Sequence, residues 1–159
     1  MSPMTESQIQ TQVDPSTLDG FELLCAVRDG LLPAAPIAET LGFAGMDIPE
    51  RGTAIFELDP QLRHYNPIGS VHGGWISTLL DSAVACAVHS TLGQGKSYST
   101  VELKVNFVKP LTEEVPLVRA IGETIHVGNR IATADGSLIG ADGTLYAHAT
   151  ATCIIFDPD

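Results

Sequence analysis

The sequence predicts an α+β domain in which an antiparallel sheet curls around one long central helix. Residues 72–90 form the long segment with helical periodicity, and shorter segments on both sides alternate between apolar and polar residues as strands do. The predicted order is strand, strand, long helix and then four strands at hairpin spacing. This order is typical of an antiparallel sheet packed on a single helix.

The helix predicted over residues 72–90 has apolar residues at intervals of one, three and four, which form one broad stripe. The stripe consists of Trp75, Ile76, Leu79, Leu80, Ala83, Val84, Ala87 and Val88. The opposite side consists of Ser77, Thr78, Asp81, Ser82, Ala85 and Cys86. Because all of the latter except Asp81 are small and uncharged, we expect protein to cover both sides of the helix.

The predicted domain covers residues 19–159 and follows a flexible arm of residues 1–18. A short helix is predicted over residues 21–30, and strands over residues 38–48, 52–59, 98–109, 115–127, 130–139 and 144–156. Turns are expected at Pro49-Glu50-Arg51-Gly52 and Ala141-Asp142-Gly143. In the last strand Ala147, Ala149 and Ala151 share one face, which lets a helix approach the sheet closely.

Alternation in the strand 98–109 separates two sets of side chains. One face is expected to carry Val101, Leu103, Val105 and Phe107. The other face is expected to carry Glu102, Lys104 and Asn106, and the same alternation places Thr100 with them. The pattern therefore predicts a half-buried strand whose first face lies toward the core.

The composition limits the classes of molecule that the protein is expected to bind. The chain has 159 residues, of which 44% are apolar, and this suits one domain with its own core. Its 8 basic and 19 acidic residues give a net charge of −11, which disfavours nucleic acid and anionic membranes as partners. Because neither a signal peptide nor an apolar run of about 18 residues occurs, we expect a cytoplasmic protein.

Metal and disulfide sites are not expected. The three cysteines include no CxxC pair. Apart from His72, the histidines show no spacing typical of metal ligands and are expected at strand or helix ends: His64, His89, His126 and His148. Four basic residues fall in one stretch: Lys104, Lys109, Arg119 and Arg130. They form either a small patch for an anionic ligand or scattered solvated charges.

Asp81 is a candidate catalytic residue. It is the only acidic or basic residue between Arg63 and Lys96, and it lies in the middle of the predicted helix. A buried carboxylate is costly unless it is hydrogen-bonded, and such groups are frequent in catalytic sites. The alternative is a structural carboxylate that bonds neighbouring Ser and Thr hydroxyls.

The loop NPIGSVHGG, residues 66–74, leads directly into the helix. Glycines there leave backbone N–H groups uncovered at the positive end of the helix dipole, which suits a carbonyl oxygen that gains negative charge. The alternative is an ordinary turn in which Ser70 or His72 caps the helix.

Asp81 and His72 are nine residues apart, which corresponds to about 900° of rotation and about 13 Å of rise along one helix. They therefore face opposite directions and cannot act on one carbonyl within one chain. If both act on the same substrate, the two groups must come from two subunits with antiparallel helices around a twofold axis.

Three segments, NPIGSVHGGWISTLLDSA, STVELKVNFVKP and HVGNRIATADGSLIGADGTLYAHATATC, resemble the phenylacetate-degradation (PaaI-type) branch of hot-dog-fold acyl-CoA thioesterases. The resemblance covers most of the chain from near Tyr65 to Phe156 and includes the spacing N-x-x-G-x-x-H-G-G-x6-D. It implies a homodimer or a dimer-of-dimers tetramer that hydrolyses an aryl- or medium-chain acyl-CoA. Coenzyme A is part of the substrate, and no other cofactor is implied. The residues before about Ile48 have no clear counterpart, so the short helix is expected to shape or cap the acyl pocket.

The resemblance also implies roles for single residues. Asp81 would be the nucleophile or general base, and Gly73 would supply the backbone N–H that polarises the thioester carbonyl. Asn66 and His72 would orient substrate and the attacking water, and the hydroxyl of Thr100 would help to hold water or the carboxylate.

Coenzyme A would lie near the region 115–139, where the turn Gly128-Asn129-Arg130 stands in place of a more basic turn in relatives. Arg130 is the candidate phosphate contact, and a solvated turn residue is the alternative. Two further functions stay open: a hot-dog enoyl-CoA hydratase or dehydratase, and a non-catalytic acyl-CoA-binding module.

Overall fold

The computed structural model describes residues 13–158, so the first twelve residues of the predicted arm lie outside it. Within the rest of that arm, Pro15–Thr17 form one 3-10 turn, which the carboxylate of Asp14 caps. The helices are α1 (Gly20–Arg28), α2 (Pro36–Leu41) and α3 (Gly73–His89). The strands are β1 (Phe43–Glu50), β2 (Thr53–Leu58), β3 (Ser97–Phe107), β4 (Val118–Val127), β5 (Ile131–Gly140) and β6 (Leu145–Phe156).

The six strands form one antiparallel sheet in the order β1-β2-β4-β5-β6-β3, and α3 packs across its inner face. All eight residues of the apolar stripe on α3 are buried. Ala147, Ala149 and Ala151 on β6 are also buried and keep the helix close to the sheet. The predicted α+β class, an antiparallel sheet around one long helix, is confirmed.

Gly122 marks the closest approach between the sheet and α3. A Cβ atom at this position would lie 2.3 Å from the backbone carbonyl carbon and oxygen of Ala83. Backbone atoms in the middle of a packed helix cannot move aside as a flexible side chain can. Only glycine therefore fits on β4 at this point.

We expect Gly122→Ala to destabilise the protein by about 1–3 kcal/mol or more, because the added methyl group forces α3 away from β4. Gly93→Ala is the matched control, since a Cβ at Gly93 meets no atom within 4 Å. Denaturant unfolding of the two variants measures the difference. Equal midpoints would contradict the close packing of helix and sheet.

The strand predicted over residues 38–48 is wrong in its first part. Residues 36–41 form α2, because Pro36 suits the first turn of a helix and Gly42 ends the helix with a left-handed φ of 74°. The strand begins only at Phe43. The turn predicted at residues 49–52 starts later as well, since β1 continues to Glu50 and the turn centres on Arg51 and Gly52.

The face predicted for Thr100 is also wrong. The pairing of β3 with β6 shifts between Thr100 and Glu102, so Val101 is the extra residue of a β-bulge and is 59% exposed. A bulge reverses the alternation on one side of it. Thr100 therefore shares the inner face with Leu103 and Val105 instead of the outer face with Glu102 and Lys104.

No helix in the described range 13–158 combines the length and the hydropathy that a membrane crossing requires.

Candidate active site

Asp81 lies outside the buried apolar stripe of α3 and is partly buried. One of its carboxylate oxygens, Oδ1, is buried and has no hydrogen-bond partner in the described chain. The carboxylate lines a cavity of about 680 Å³. A buried acceptor without a partner is costly to the folded state, so this oxygen is available to a ligand or to water.

The hydroxyl groups near Asp81 on α3 bond to the helix itself. Ser77 donates to the carbonyl of Gly73 at 2.8 Å, and Ser82 donates to the carbonyl of Thr78 at 2.9 Å. Thr78 donates to the carbonyl of Gly74 at 2.9 Å. A structural role for Asp81 as an acceptor for these hydroxyls is therefore not supported.

The walls of the cavity are mainly apolar, and several come from the N-terminal helices. Helix α1 contributes Leu23, Leu24 and Val27, and α2 contributes Ile37 and Ala38. The strands β1 and β2 add Phe43, Met46 and Phe56. The N-terminal helical segment thus forms one wall of the cavity that contains Asp81.

The bulge in β3 brings Thr100 into the same cavity. Its hydroxyl oxygen lies 3.9 Å from the sulfur of Cys153 on the neighbouring strand β6. Asp81 and Thr100 therefore line one cavity from two elements that are distant in sequence.

His72 and Gly73 lie at the start of α3. The Nδ1 atom of His72 accepts a hydrogen bond of 2.8 Å from the Gly74 amide, so the imidazole caps the helix. The Gly73 amide makes no hydrogen bond within the described residues. A Cβ at Gly73 would lie 2.9 Å from the ring of Phe107, which covers one side of this residue.

A second, smaller cavity of about 400 Å³ adjoins this helix start. Its lining includes His72, Gly74, His64 and Thr78, and it does not include Asp81. Gly73, the candidate oxyanion donor, lines neither cavity, so the structure places it apart from the candidate carboxylate within one chain.

The structure does not bring Asn66 to either cavity. Its side chain closes the loop before α3, since Oδ1 accepts from the amides of Ile68 and Ser70 at 3.0 and 3.2 Å. Its Nδ2 donates to the Ser70 hydroxyl at 3.0 Å. Asn66 thus holds the geometry of the loop, and a direct contact with substrate stays a prediction.

The turn Gly128-Asn129-Arg130 joins β4 and β5 and lines neither cavity. The Gly128 amide donates to the carbonyl of Ile131 at 2.8 Å, which closes the turn. Asn129 and Arg130 are exposed. A phosphate contact by Arg130 stays a prediction.

Three residues in the Asp81 cavity were not among the sequence candidates: Cys86, His89 and Tyr98. Asp81, Ala85 and His89 follow one another at intervals of four, so helical periodicity could have placed His89 on the Asp81 side of α3, about two turns further along. Burial raises the pKa of the Cys86 thiol to about 12, so this thiol stays protonated near neutral pH.

Among residues 13–158, no group of three or more His, Cys, Asp or Glu side chains is arranged to hold a metal ion. His64 is buried and stacks on Trp75 with 4.6 Å between the ring centroids. Burial lowers its pKa, and this favours the neutral imidazole.

A family model described as the thioesterase superfamily matches residues 68–147. The chain belongs to the thioesterase superfamily. The match covers the helix start, Asp81 and Thr100, and it leaves out α1, α2, β1 and β2. It confirms the predicted family and, at the level of the superfamily, the predicted class of enzyme, a thioester hydrolase.

Solved structures support the hot-dog fold of this thioesterase. A phenylacetic acid degradation-related protein from Ralstonia eutropha JMP134 is 30% identical, with a TM-score of 0.73 over 82% of this chain and 97% of that chain. The PaaI protein of the E. coli phenylacetic acid degradation operon is 18% identical, with a TM-score of 0.72 over 82% of this chain and 91% of that one.

A curated relative of the thioesterase is a provisionally named esterase from Saccharolobus solfataricus, which is 34% identical over 88 residues. The aligned part is 55% of this chain and 57% of the relative, so the chain spans little more than half the length of that protein.

Proposed function

We propose that this thioesterase hydrolyses an aryl- or medium-chain acyl-CoA to the free acid and coenzyme A. Asp81 acts as the nucleophile or the general base, and the Gly73 amide of a second subunit polarises the thioester carbonyl. The observation that carries the proposal is the unpartnered carboxylate oxygen of Asp81 in a largely apolar cavity. Such a cavity suits an acyl group, which is itself apolar.

In the general-base route, Asp81 takes a proton from water, and the oxygen of that water attacks the thioester carbon. The carbonyl oxygen gains negative charge and accepts a hydrogen bond from the Gly73 amide. The C–S bond then breaks, and the CoA thiolate leaves and takes up a proton. In the nucleophilic route, Asp81 attacks first and forms a mixed anhydride, which water hydrolyses.

Two observations favour a twofold dimer for this chemistry. Asp81 and Gly73 are eight residues apart on α3, which puts them about 12 Å apart along the axis, too far for both to reach one carbonyl group within one chain. Strand β3, eleven residues long, is the last strand of the sheet, so its outer edge has no partner strand among the described residues. An exposed edge of this length suits pairing with another chain. We propose a homodimer or a dimer of dimers.

Thiol release from a panel of aryl- and alkyl-CoA esters tests the proposed reaction. A hot-dog hydratase or dehydratase would change the absorbance of an enoyl-CoA without releasing thiol. A binding module would bind acyl-CoA in calorimetry and leave it intact. Absence of thiol release from the whole panel, in a folded and oligomeric protein, would exclude the thioesterase function.

Because α1 forms one wall of the cavity, a bulky side chain on α1 should change the acyl chain lengths that the protein accepts. Val27→Trp should lower kcat/KM for decanoyl-CoA about tenfold, because the indole fills part of the cavity, and should leave butyryl-CoA nearly unchanged. Leu31→Trp is the control, since Leu31 is 61% exposed and does not line the cavity. An unchanged chain-length profile for Val27→Trp would show that the acyl group lies elsewhere.

A further inference from the structure

Two polar side chains in the Asp81 cavity lack hydrogen-bond partners among the described residues. They are His89 at the end of α3 and Tyr98 near the start of β3, and both line the cavity. Their rings pack together with 5.1 Å between the centroids. Polar atoms in such surroundings are stabilised when a ligand or water bonds to them.

His89 lies away from the reacting carboxylate along α3, and the ring of Tyr98 packs against His89. His89 follows Asp81 by eight residues, which corresponds to about 12 Å along the helix axis. Both side chains lean toward the start of the helix, so this separation is preserved between them. Gly20 of α1 packs directly against the backbone of His89.

Burial disfavours charge on both members of the pair. Burial raises the pKa of the Tyr98 phenol and lowers the pKa of the His89 imidazole, so both neutral forms are favoured. The cation that lines the cavity, Arg28, is already paired with Asp29 at 2.8 Å and with Asp47 at 3.4 Å. This end of the cavity therefore suits a neutral hydrogen-bonding group better than a carboxylate.

We infer that His89 and Tyr98 select acyl groups with a hydroxyl near the far end of a medium-length chain. The inference rests on the proposed hydrolysis of acyl-CoA at Asp81. An extended chain advances about 1.2 Å per bond, so about 12 Å corresponds to roughly ten bonds between the carbonyl carbon and the hydroxyl oxygen. A 10-hydroxydecanoyl group has this reach, whereas the hydroxyl of a single-ring hydroxyaryl group ends several bonds earlier.

Steady-state kinetics with two matched substrates, decanoyl-CoA and 10-hydroxydecanoyl-CoA, test the inference. The wild-type protein should favour the hydroxylated substrate in kcat/KM. Tyr98→Phe removes only the phenol oxygen and should reduce this preference by about tenfold, mainly through KM. Tyr146→Phe is the control, because Tyr146 is buried outside the cavity.

Equal losses for both substrates in Tyr98→Phe would overturn the inference, since the phenol would then act on the reaction and not on the distal group. Equal kcat/KM of the wild-type protein for the two substrates would overturn it as well. If no thioester is hydrolysed at all, the proposed function fails. Calorimetry with decanoic and 10-hydroxydecanoic acid then tests the distal subsite without catalysis. The wild-type protein should bind the hydroxylated acid more tightly, and Tyr98→Phe should bind the two acids equally.

Discussion

Asp81→Asn is expected to lower kcat for thiol release by about a thousandfold, within the range usual for loss of a general base. The amide can neither take a proton from water nor form a mixed anhydride. The stability of the fold should not decrease, because Oδ1 of Asp81 makes no hydrogen bond in the described chain that the substitution could remove. Kinetics and thermal unfolding of the same preparation measure both effects.

Asp47→Asn is the matched control for this substitution. Asp47 lies next to the cavity-lining Met46, its side chain is 58% exposed, and it contacts Arg28 at 3.4 Å. Removal of this negative charge should change kcat little. If Asp81→Asn kept wild-type turnover, Asp81 would have no catalytic role. A large loss of stability together with activity would point to a structural carboxylate.

Mixing two inactive variants should restore turnover if the site is shared between subunits. Asp81→Asn removes the carboxylate, and Gly73→Pro removes the amide hydrogen at the first position of α3, where proline suits a helix. In a heterodimer one site lacks both groups and the other has both. Each heterodimer should then have about half the activity of a wild-type dimer, roughly 500-fold above either parent if each parent loses about a thousandfold.

The proline ring at position 73 must displace Phe107, whose ring would lie 2.9 Å from a Cβ there. Phe107 is 55% exposed and can move toward solvent. Phe107→Ala combined with Gly73→Pro therefore tests whether a steric effect contributes to the loss. Heterodimers confirmed by mass spectrometry that remain inactive would exclude a site shared in this way.

Local signals in the sequence were sufficient for the elements around α3. The apolar stripe of this helix repeats over almost five turns, so its length and its buried side could be predicted without knowing its neighbours. The strands after the helix were predicted to within a few residues for the same reason. The error at residues 38–41 arose because a short helix between a proline and a glycine has too few turns to show its periodicity.

Thr100 shows the opposite case. Strict alternation in β3 predicts the outer face for it, and only the pairing of β3 with β6 creates the bulge at Val101 that turns it inward. His89 and Tyr98 are similar, since their shared cavity depends on how α3, α1 and β3 pack. Contacts between residues that are distant in sequence depend on the packing of the whole sheet, which no local pattern reports.

The amino-acid order by itself determined the long helix, its single carboxylate and its glycine-rich start, because helical spacing and the absence of other charges are properties of neighbouring residues. It also determined that Asp81 and His72 face apart, since the pitch of a helix does not vary. The tertiary structure alone decided which side chains surround Asp81 and which residues of α1 line the cavity. Those arrangements result from packing between separate elements, whose free energy depends on the complete fold.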